Sequence, residues 1–578
     1  MALHIFSLPS VLSGKISSRV PPSTSTKAAV PLGGRRSANY QPSVWTYNDL
    51  RYLVADEARQ SHRTVELQIE KAQMVEEVRG ALNDENAEPM SMFTLIDDIQ
   101  SLGLGRHFEE DILRDLRRCL SPDGVNTSLE KCLHGTALSF RILRQHGFHV
   151  SQDVFKIFMD ESGHFAKTLG SDVQGLLNLY KACSLAFEEE DVLHDAKAFA
   201  LEHLENLNCD ISKYLQDHVN HELELPLHRR IPLLEARRSI EAYSRCGYAN
   251  HRILELATTN FNMLQLILQR ELQEMSGWWN DVSLAKKLSF ARDRLMECFF
   301  WAVGMADEPS LTNCRKGLTK VISLITIIDD VYDVYGTLDE LELFTDGVRR
   351  WDINAVEDLP GYMKLCFLAL YNSVNEMAYS TLKETGENVI PYLTRAWHDL
   401  CKAFLQEAKW SYSKIVPGVE EYLNNGWVSS SGQVILTHAY FLSSPSLRKE
   451  ELESLEHYHD LLRLPALIFR LTNDLATSSA ELKRGETTNS ILCYMQEKEV
   501  CESKAKEYVM EQIDMAWKTM NKYMVDHSIF NQSFVRMAYN LARMAHCVYQ
   551  DGDAIGAPND QSWNCVHSLI IKPISLVT

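Results

Sequence analysis

Along most of the chain, apolar residues recur at three- and four-residue spacing with polar residues between them. Ser61–Asn83, Val192–Leu207 and Leu256–Glu274 are clear cases. That period puts the apolar side chains on one stripe of an α-helix, which must be covered by a neighbour. The alternating Val/Ile/Thr runs and tight turns of β-hairpins are essentially missing, and no repeat of fixed period is present. The pattern predicts an all-α protein. Helix breaks are expected where Pro or Gly cannot continue a helix: Ser121-Pro122-Asp123-Gly124, Leu225-Pro226, Pro309, Leu359-Pro360-Gly361 and Pro417-Gly418. A further break is expected at Ser429-Ser430-Ser431-Gly432, aiming backbone carbonyls inward. A chain of 578 residues exceeds one ordinary core, so two large helical domains are expected, with a junction after Pro226.

Apolar runs are short. Val321–Ile328 ends against Asp329 and Asp330, far below the roughly 18 residues that a membrane helix needs, so a soluble protein with no membrane partner is expected. The net charge of −20 argues against nucleic acid, whose binding is driven by Lys and Arg. An anionic substrate would therefore need bound cations and a local arginine cluster. Thirteen cysteines without a C-x-x-C pair read as reduced small hydrophobes, and a zinc site is not expected. Met1–Asn48 holds no Asp or Glu, but has Lys15, Arg19, Lys27, Arg35 and Arg36 among many Ser and Thr. A Ser-rich, acid-free, weakly basic leader of this kind resembles an organelle transit peptide and is expected over residues 1–34.

Chemistry concentrates in the second half. In Ile327-Ile328-Asp329-Asp330-Val331-Tyr332-Asp333, Asp329 and Asp333 are four apart and share a helix face. Like charges at that spacing repel unless a cation lies between them. At the end of a buried apolar helix, hard oxygen donors without His or Cys suit Mg²⁺ or Mn²⁺, with water and phosphate completing the sphere. Taken alone, the pattern is also that of an acidic helix end. Later, Asn473, Thr477 and Glu481 stand at i, i+4 and i+8, an oxygen-bearing stripe two turns long, with Arg470 one turn before it. An ordinary polar face would look the same. Asp97-Asp98 has no third acid one turn on and reads as a solvated helix face.

The two acidic motifs, D-D-x-x-D and N-D-x-x-T-x-x-x-E, about 140 residues apart in this order, resemble those of class I terpene synthases. Three further elements resemble plant monoterpene synthases: Arg35-Arg36 followed by Trp45, Arg292-Asp293-Arg294, and Tyr549-Gln550-Asp551-Gly552-Asp553. The resemblance runs from Arg35 onward. It implies two α-helical barrels, residues 35–255 and 256–578, the second with the class I terpenoid synthase fold. Asp329 and Asp333 would bind two Mg²⁺ and Asn473, Thr477 and Glu481 a third, with Mn²⁺ as a substitute. Arg292 and Arg470 would hold the diphosphate of a prenyl diphosphate substrate. Arg35, Arg36 and Trp45 would cap the site, and the enzyme would work in the plastid stroma as a monomer or homodimer. One departure stands out: many relatives carry Lys where this chain has Asn489, an uncharged and weaker diphosphate contact shared with isoprene synthases and several acyclic monoterpene synthases.

The resemblance also implies the reaction: heterolysis of an allylic C–O bond, helped by metal ions and Arg neutralising the leaving group. The resulting carbocation needs a dry, aromatic-lined chamber. Trp301 matches a pocket tryptophan of the family and can support the cation through its π face, whereas Phe299 and Phe300 read as core. Proton loss ends the reaction. Released diphosphate is the expected base and Tyr549 the weaker one, its ordinary pKa of about 10 suiting it poorly. Isoprene synthases shorten the pocket with two Phe; here Phe469, Ser430 and Asn489 match them, but the other Phe position is Ile322. The expected substrate is therefore geranyl diphosphate and the product an acyclic monoterpene such as β-ocimene or myrcene. The alternatives are isoprene synthase, a cyclic monoterpene synthase and, outside enzymes, a helical scaffold.

Overall fold

The computed structural model describes residues 40, 42–45, 71–83, 88–120, 132–207, 211–247, 249–484, 488–526, 528–550, 552–553 and 559–575, without the side chains of Tyr214 and of residues 480–484. The leader, Arg35, Arg36, the break at Ser121–Gly124, the Glu481 side chain and Asp551 lie outside the described residues. Among those described there is no β-strand, only an isolated bridge between Met159 and Phe165, and no helix is long and apolar enough to cross a membrane. The twelve described cysteines are free.

The helices that build or brace the site are α1 (Pro89–Ser101), α2 (Leu133–Gln145), α3 (His251–Val282), α4 (Leu295–Met305), α5 (Thr312–Asp330), α6 (Ile390–Ser413), α7 (Val419–Ser429), α8 (Gly432–Ser443), α9 (Asp460–Arg484), α10 (Ser490–Lys498), α11 (Glu502–Val525), α12 (Gln532–Tyr549) and α13 (Asp560–Val566). Proline sets several boundaries as the sequence predicts. Pro226 follows the helix Lys213–Glu224, Pro309 opens a 3₁₀ turn, Pro360 precedes Gly361–Thr385, and Gly418 caps α7. The expected boundary at 255/256 falls inside α3, which is 32 residues long.

α4 is buried at all eleven of its positions and α5 at every residue from Val321 to Ile328. A helix apolar on all sides belongs at the centre of a bundle, not on its surface. One apolar core runs from Met74 to Ile574 and unites the earliest described helix with the C-terminal half; a second, residues 133–219, is local to the N-terminal region.

Two details depart from the sequence reading. Asp97 and Asp98 are not a solvated face. Packing α1 on α2 buries Arg141, which needs a counter-charge, and Asp97 supplies it at 2.8 Å while Asp98 accepts from the Tyr243 hydroxyl at 3.2 Å. Second, α5 does not continue past Asp330 but opens into a π-helical turn, Val331–Tyr335, that carries Asp333. Single π turns of this kind collect at functional sites because they re-aim side chains.

Candidate active site

The first acidic motif ends α5. Asp330 is fully buried and anchors the loop before α4: its Oδ2 accepts from the Arg292 backbone N–H at 2.7 Å, and its Oδ1 lies 2.9 Å from Arg292 Nε. The other arm of the guanidinium donates to Asp329 Oδ2 at 2.5 Å. Arg292 thus sits on the carboxylates, whereas Arg294 turns into the core and Asp293 accepts from Trp279 Nε1 at 2.9 Å. Tyr40, from the N-terminal segment, lays its ring 5.0 Å from the Arg292 guanidinium carbon and hydrogen-bonds Asp330. Asp333 meets solvent but is crowded by protein. Desolvation and the charges of Asp329 and Glu407 push its carboxyl well above the usual range.

The second motif lies on α9. Arg470 does not simply face outward beside Asn473: its Nε donates to the Gly426 carbonyl at 3.3 Å and its NH2 to Ser429 Oγ at 3.0 Å. Gly426 permits that crossing, since a Cβ there would stand 3.1 Å from Arg470 Cγ. Ser429 Oγ in turn donates to Glu407 Oε1 at 2.5 Å, and Glu407 is raised by burial, with Arg470 opposing. Asp474, nearly fully buried, accepts from the Tyr422 hydroxyl at 2.9 Å and the Ser490 backbone N–H at 2.9 Å, tying α9 to α7 and α10. Thr477 donates to the Asn473 carbonyl at 3.0 Å, which leaves its oxygen lone pairs facing away from the helix. Asn489 is buried and its Oδ1 caps α10, accepting from the Leu492 N–H at 2.8 Å.

Glu407 feels the charges of both Asp329 and Asp474, and Tyr549 those of Asp553, Arg292, Arg470 and Asp329. The two acidic helices and the start of the C-terminal loop therefore share one mouth. Behind it stands an aromatic wall, Trp301 to Phe469 at 4.8 Å between ring centroids and Phe469 to Tyr549 at 6.0 Å. Ile322 and Ser430 are also buried. At the expected break, Ser431 adopts φ +69° and α8 restarts at Gly432. Burial raises the Tyr549 hydroxyl further above its ordinary value, which makes it a still poorer base. Trp45 stacks on Trp563 at 5.8 Å and 6°.

The donor set fits a hard divalent cation. Its members are oxygen ligands, and Asp333 stands among carboxylates whose mutual repulsion such an ion would remove. Among the described residues, no three Asp, Glu, His or Cys side chains form a cage by themselves. Sequence reasoning missed Tyr40, Asp330, Glu407, Ser429 and Asp474. Asp330 and Asp474 lay inside the motifs, but nothing in the sequence separated Glu407 from other helix-face residues or Tyr40 from its neighbours near the N-terminus.

Acid and arginine gathered together, with aromatic rings packed behind them, suit a ligand anionic at one end and apolar at the other. Residues 44–223 match the family profile "Terpene synthase, N-terminal domain" and residues 280–519 "Terpene synthase family, metal binding domain". The chain is 53% identical over 542 residues to the chloroplastic isoprene synthase of Populus tremuloides, covering 93% of this chain and 90% of that one. It is 50% identical over 553 residues to the chloroplastic tricyclene synthase TPS4 of Medicago truncatula, covering 94% and 92%. The structure of grey poplar (Populus x canescens) isoprene synthase in complex with three Mg²⁺ ions and dimethylallyl-S-thiolodiphosphate superposes with a TM-score of 0.86 at 51% identity, covering 92% of this chain and 99% of that one. The chain belongs to the terpene synthase family, and it is a lyase of prenyl diphosphates.

Proposed function

We propose that this enzyme ionises geranyl diphosphate and releases diphosphate and an acyclic monoterpene such as β-ocimene or myrcene, in the plastid stroma after removal of a leader over residues 1–34. The proposal takes residues 35–255 as a supporting helical domain and 256–578 as the catalytic one. Asp329 and Asp333 with Asn473, Thr477 and Glu481 would hold three Mg²⁺, or Mn²⁺ in their place. Bound ions supply Lewis-acid neutralisation of charge on the leaving group.

The chain's own residues do the rest. Arg292 and Arg470 receive the diphosphate, Arg470 held for it by Ser429 and Glu407. Asn489 adds a neutral donor. Trp301, Phe469 and Tyr549 exclude water from the carbocation and face it with π density. With Tyr549 pushed to higher pKa, the released diphosphate takes the final proton. Trp45 stacks on Trp563, and with Arg35 and Arg36 it would cap the site.

The observation that carries the choice of substrate is Ile322. It is buried on α5 two turns before Asp329, at a position where isoprene synthases use Phe, and the smaller side chain leaves room for a second isoprene unit. The second reading is isoprene synthase, favoured by the identity to the poplar enzyme and by Phe469, Ser430 and Asn489. Gas-chromatographic analysis of products from dimethylallyl and geranyl diphosphate separates them. A C10 hydrocarbon as main product is expected, and Ile322→Phe should move kcat/KM toward the C5 substrate by about tenfold or more, a change of roughly 1.4 kcal/mol. Efficient isoprene release by the unmodified enzyme would reverse the assignment.

A further inference from the structure

Arg470 stands between two carboxylates from different helices. Its Nη2 lies 3.6 Å from Glu407 Oε1 on α6, and its Nη1 lies 3.6 Å from Asp474 Oδ1, one turn further along α9. Neither distance is that of a direct hydrogen bond. Its Nε and Nη2 donate instead to neutral acceptors, the Gly426 carbonyl and Ser429 Oγ. Each carboxylate is met by a hydroxyl. Ser429 donates to Glu407 Oε1 at 2.5 Å, and Tyr422 donates to both oxygens of Asp474, at 3.1 and 2.9 Å.

Packing fixes Tyr422 in this place. It lies on α7 one turn before Gly426, buried, with its ring in a small apolar cluster of Trp410, Val419 and Cys493 that is separate from the main core. Residue 426 has no side chain, so the Arg470 stem passes beside that ring: a Cβ at 426 would stand 3.1 Å from Arg470 Cγ and 3.6 Å from Tyr422 Cε1. Asp474 is buried as deeply, and its other hydrogen bond comes from the Ser490 backbone N–H at 2.9 Å, at the start of α10. A buried carboxylate deprived of a donor carries the desolvation cost of the missing bond. Arg470 is the cation in reach to supply that bond, and a guanidinium drawn onto Asp474 leaves Ser429.

We propose that Tyr422 is a positioning residue for the diphosphate arginine: its hydroxyl satisfies Asp474 and so keeps Arg470 turned to the mouth. Tyr422 itself touches no substrate in this role; it weakens the competitor for the guanidinium. Its hydroxyl therefore matters only while residue 474 is a carboxylate. The inference rests on the reading of Arg470 as a diphosphate ligand, and not on the choice of geranyl diphosphate as substrate.

The test is calorimetric titration of inorganic pyrophosphate into the full chain with Mg²⁺ present, on the unmodified protein, Tyr422→Phe, Asp474→Asn, the two combined, and Arg470→Ala. Tyr422→Phe is expected to weaken pyrophosphate binding about fivefold or more. In steady-state turnover it should raise KM, with the smaller change in kcat. Asp474→Asn keeps an acceptor for Ser490 but no charge to draw Arg470, so in that background Tyr422→Phe should cost less than about twofold. A merely structural hydroxyl predicts the same loss in both backgrounds, and that result would overturn the proposal. So would unchanged binding in Tyr422→Phe beside weakened binding in Arg470→Ala. Unchanged binding in Arg470→Ala would overturn this inference together with the diphosphate role on which it rests. If Tyr422→Phe does not fold, Ser429→Ala loosens Arg470 from the opposite side. Its loss should likewise shrink in the Asp474→Asn background, and a loss that stays the same would overturn the proposal.

Discussion

Single side chains decide how well Arg292 is placed. Its guanidinium is shared between Asp329, Asp330 and the Tyr40 ring, and the Tyr40 hydroxyl closes the arrangement onto Asp330. Tyr40→Phe removes a hydrogen bond to a charged group, while Tyr40→Leu also removes the ring from the cation. Steady-state kinetics should show KM for the prenyl diphosphate rising a few-fold in the first variant and about tenfold in the second, with the smaller change in kcat. Unchanged kinetics in both would mean that Asp330 alone positions the arginine. A pH effect belongs to Glu297. Its carboxyl lies near 4.5 in an unstructured chain and about 7 in the fold, so the folded state holds the proton more tightly. Stability should therefore fall as pH rises through that window, by on the order of 2 kcal/mol. Glu297→Gln should flatten the slope in denaturant unfolding and be the more stable protein at pH 8. Equal slopes would show that Glu297 titrates normally.

Between elements, the α7–α8 break matters most. Gly432 is required by contact: a Cβ there would stand 2.6 Å from Ala466 Cβ and 2.8 Å from Ala466 Cα on α9. Gly432→Ala would force α8 and α9 apart next to Ser430, Arg470 and Phe469. A loss of about 1–3 kcal/mol in stability is expected, with activity falling further than stability because the second acidic motif rides on α9. A melt and an assay on one preparation check this; full stability would mean that the helices shift freely. The sequence made the break legible, since three serines and a glycine interrupt an apolar run, but not the reason for the glycine. That reason lies in Ala466, which is remote in sequence. Likewise, the spacing of Asp329 and Asp333 pointed to a shared face, yet the π turn that carries Asp333 left no local signal.

At the scale of the molecule, the N-terminal region is bolted to the helices behind the site. His228 pairs with Asn521 Oδ1 at 2.8 Å, Asn521 donates to the Ser184 and Ala186 carbonyls at 3.0 Å, and Arg237 and Gln265 hold carbonyls of the C-terminal turn. The mouth itself is acidic and held together by Arg292 and Arg470, so divalent ions should govern the whole reaction. EDTA should abolish turnover and added Mg²⁺ should restore it. Mg²⁺ with inorganic pyrophosphate should also raise the melting temperature, because ligands that bind only the folded state stabilise it. Turnover that survives EDTA would remove the metal from the mechanism. What the sequence determined by itself was local: helical periodicity, the breaks at Pro and Gly, and two oxygen-bearing motifs whose members are neighbours along one helix. What only the tertiary structure decided was convergence. Glu407 between Asp329 and Arg470, Tyr40 over Arg292 and Asp97 against Arg141 all join residues remote in sequence, and helical periodicity says which face is buried but not what it meets.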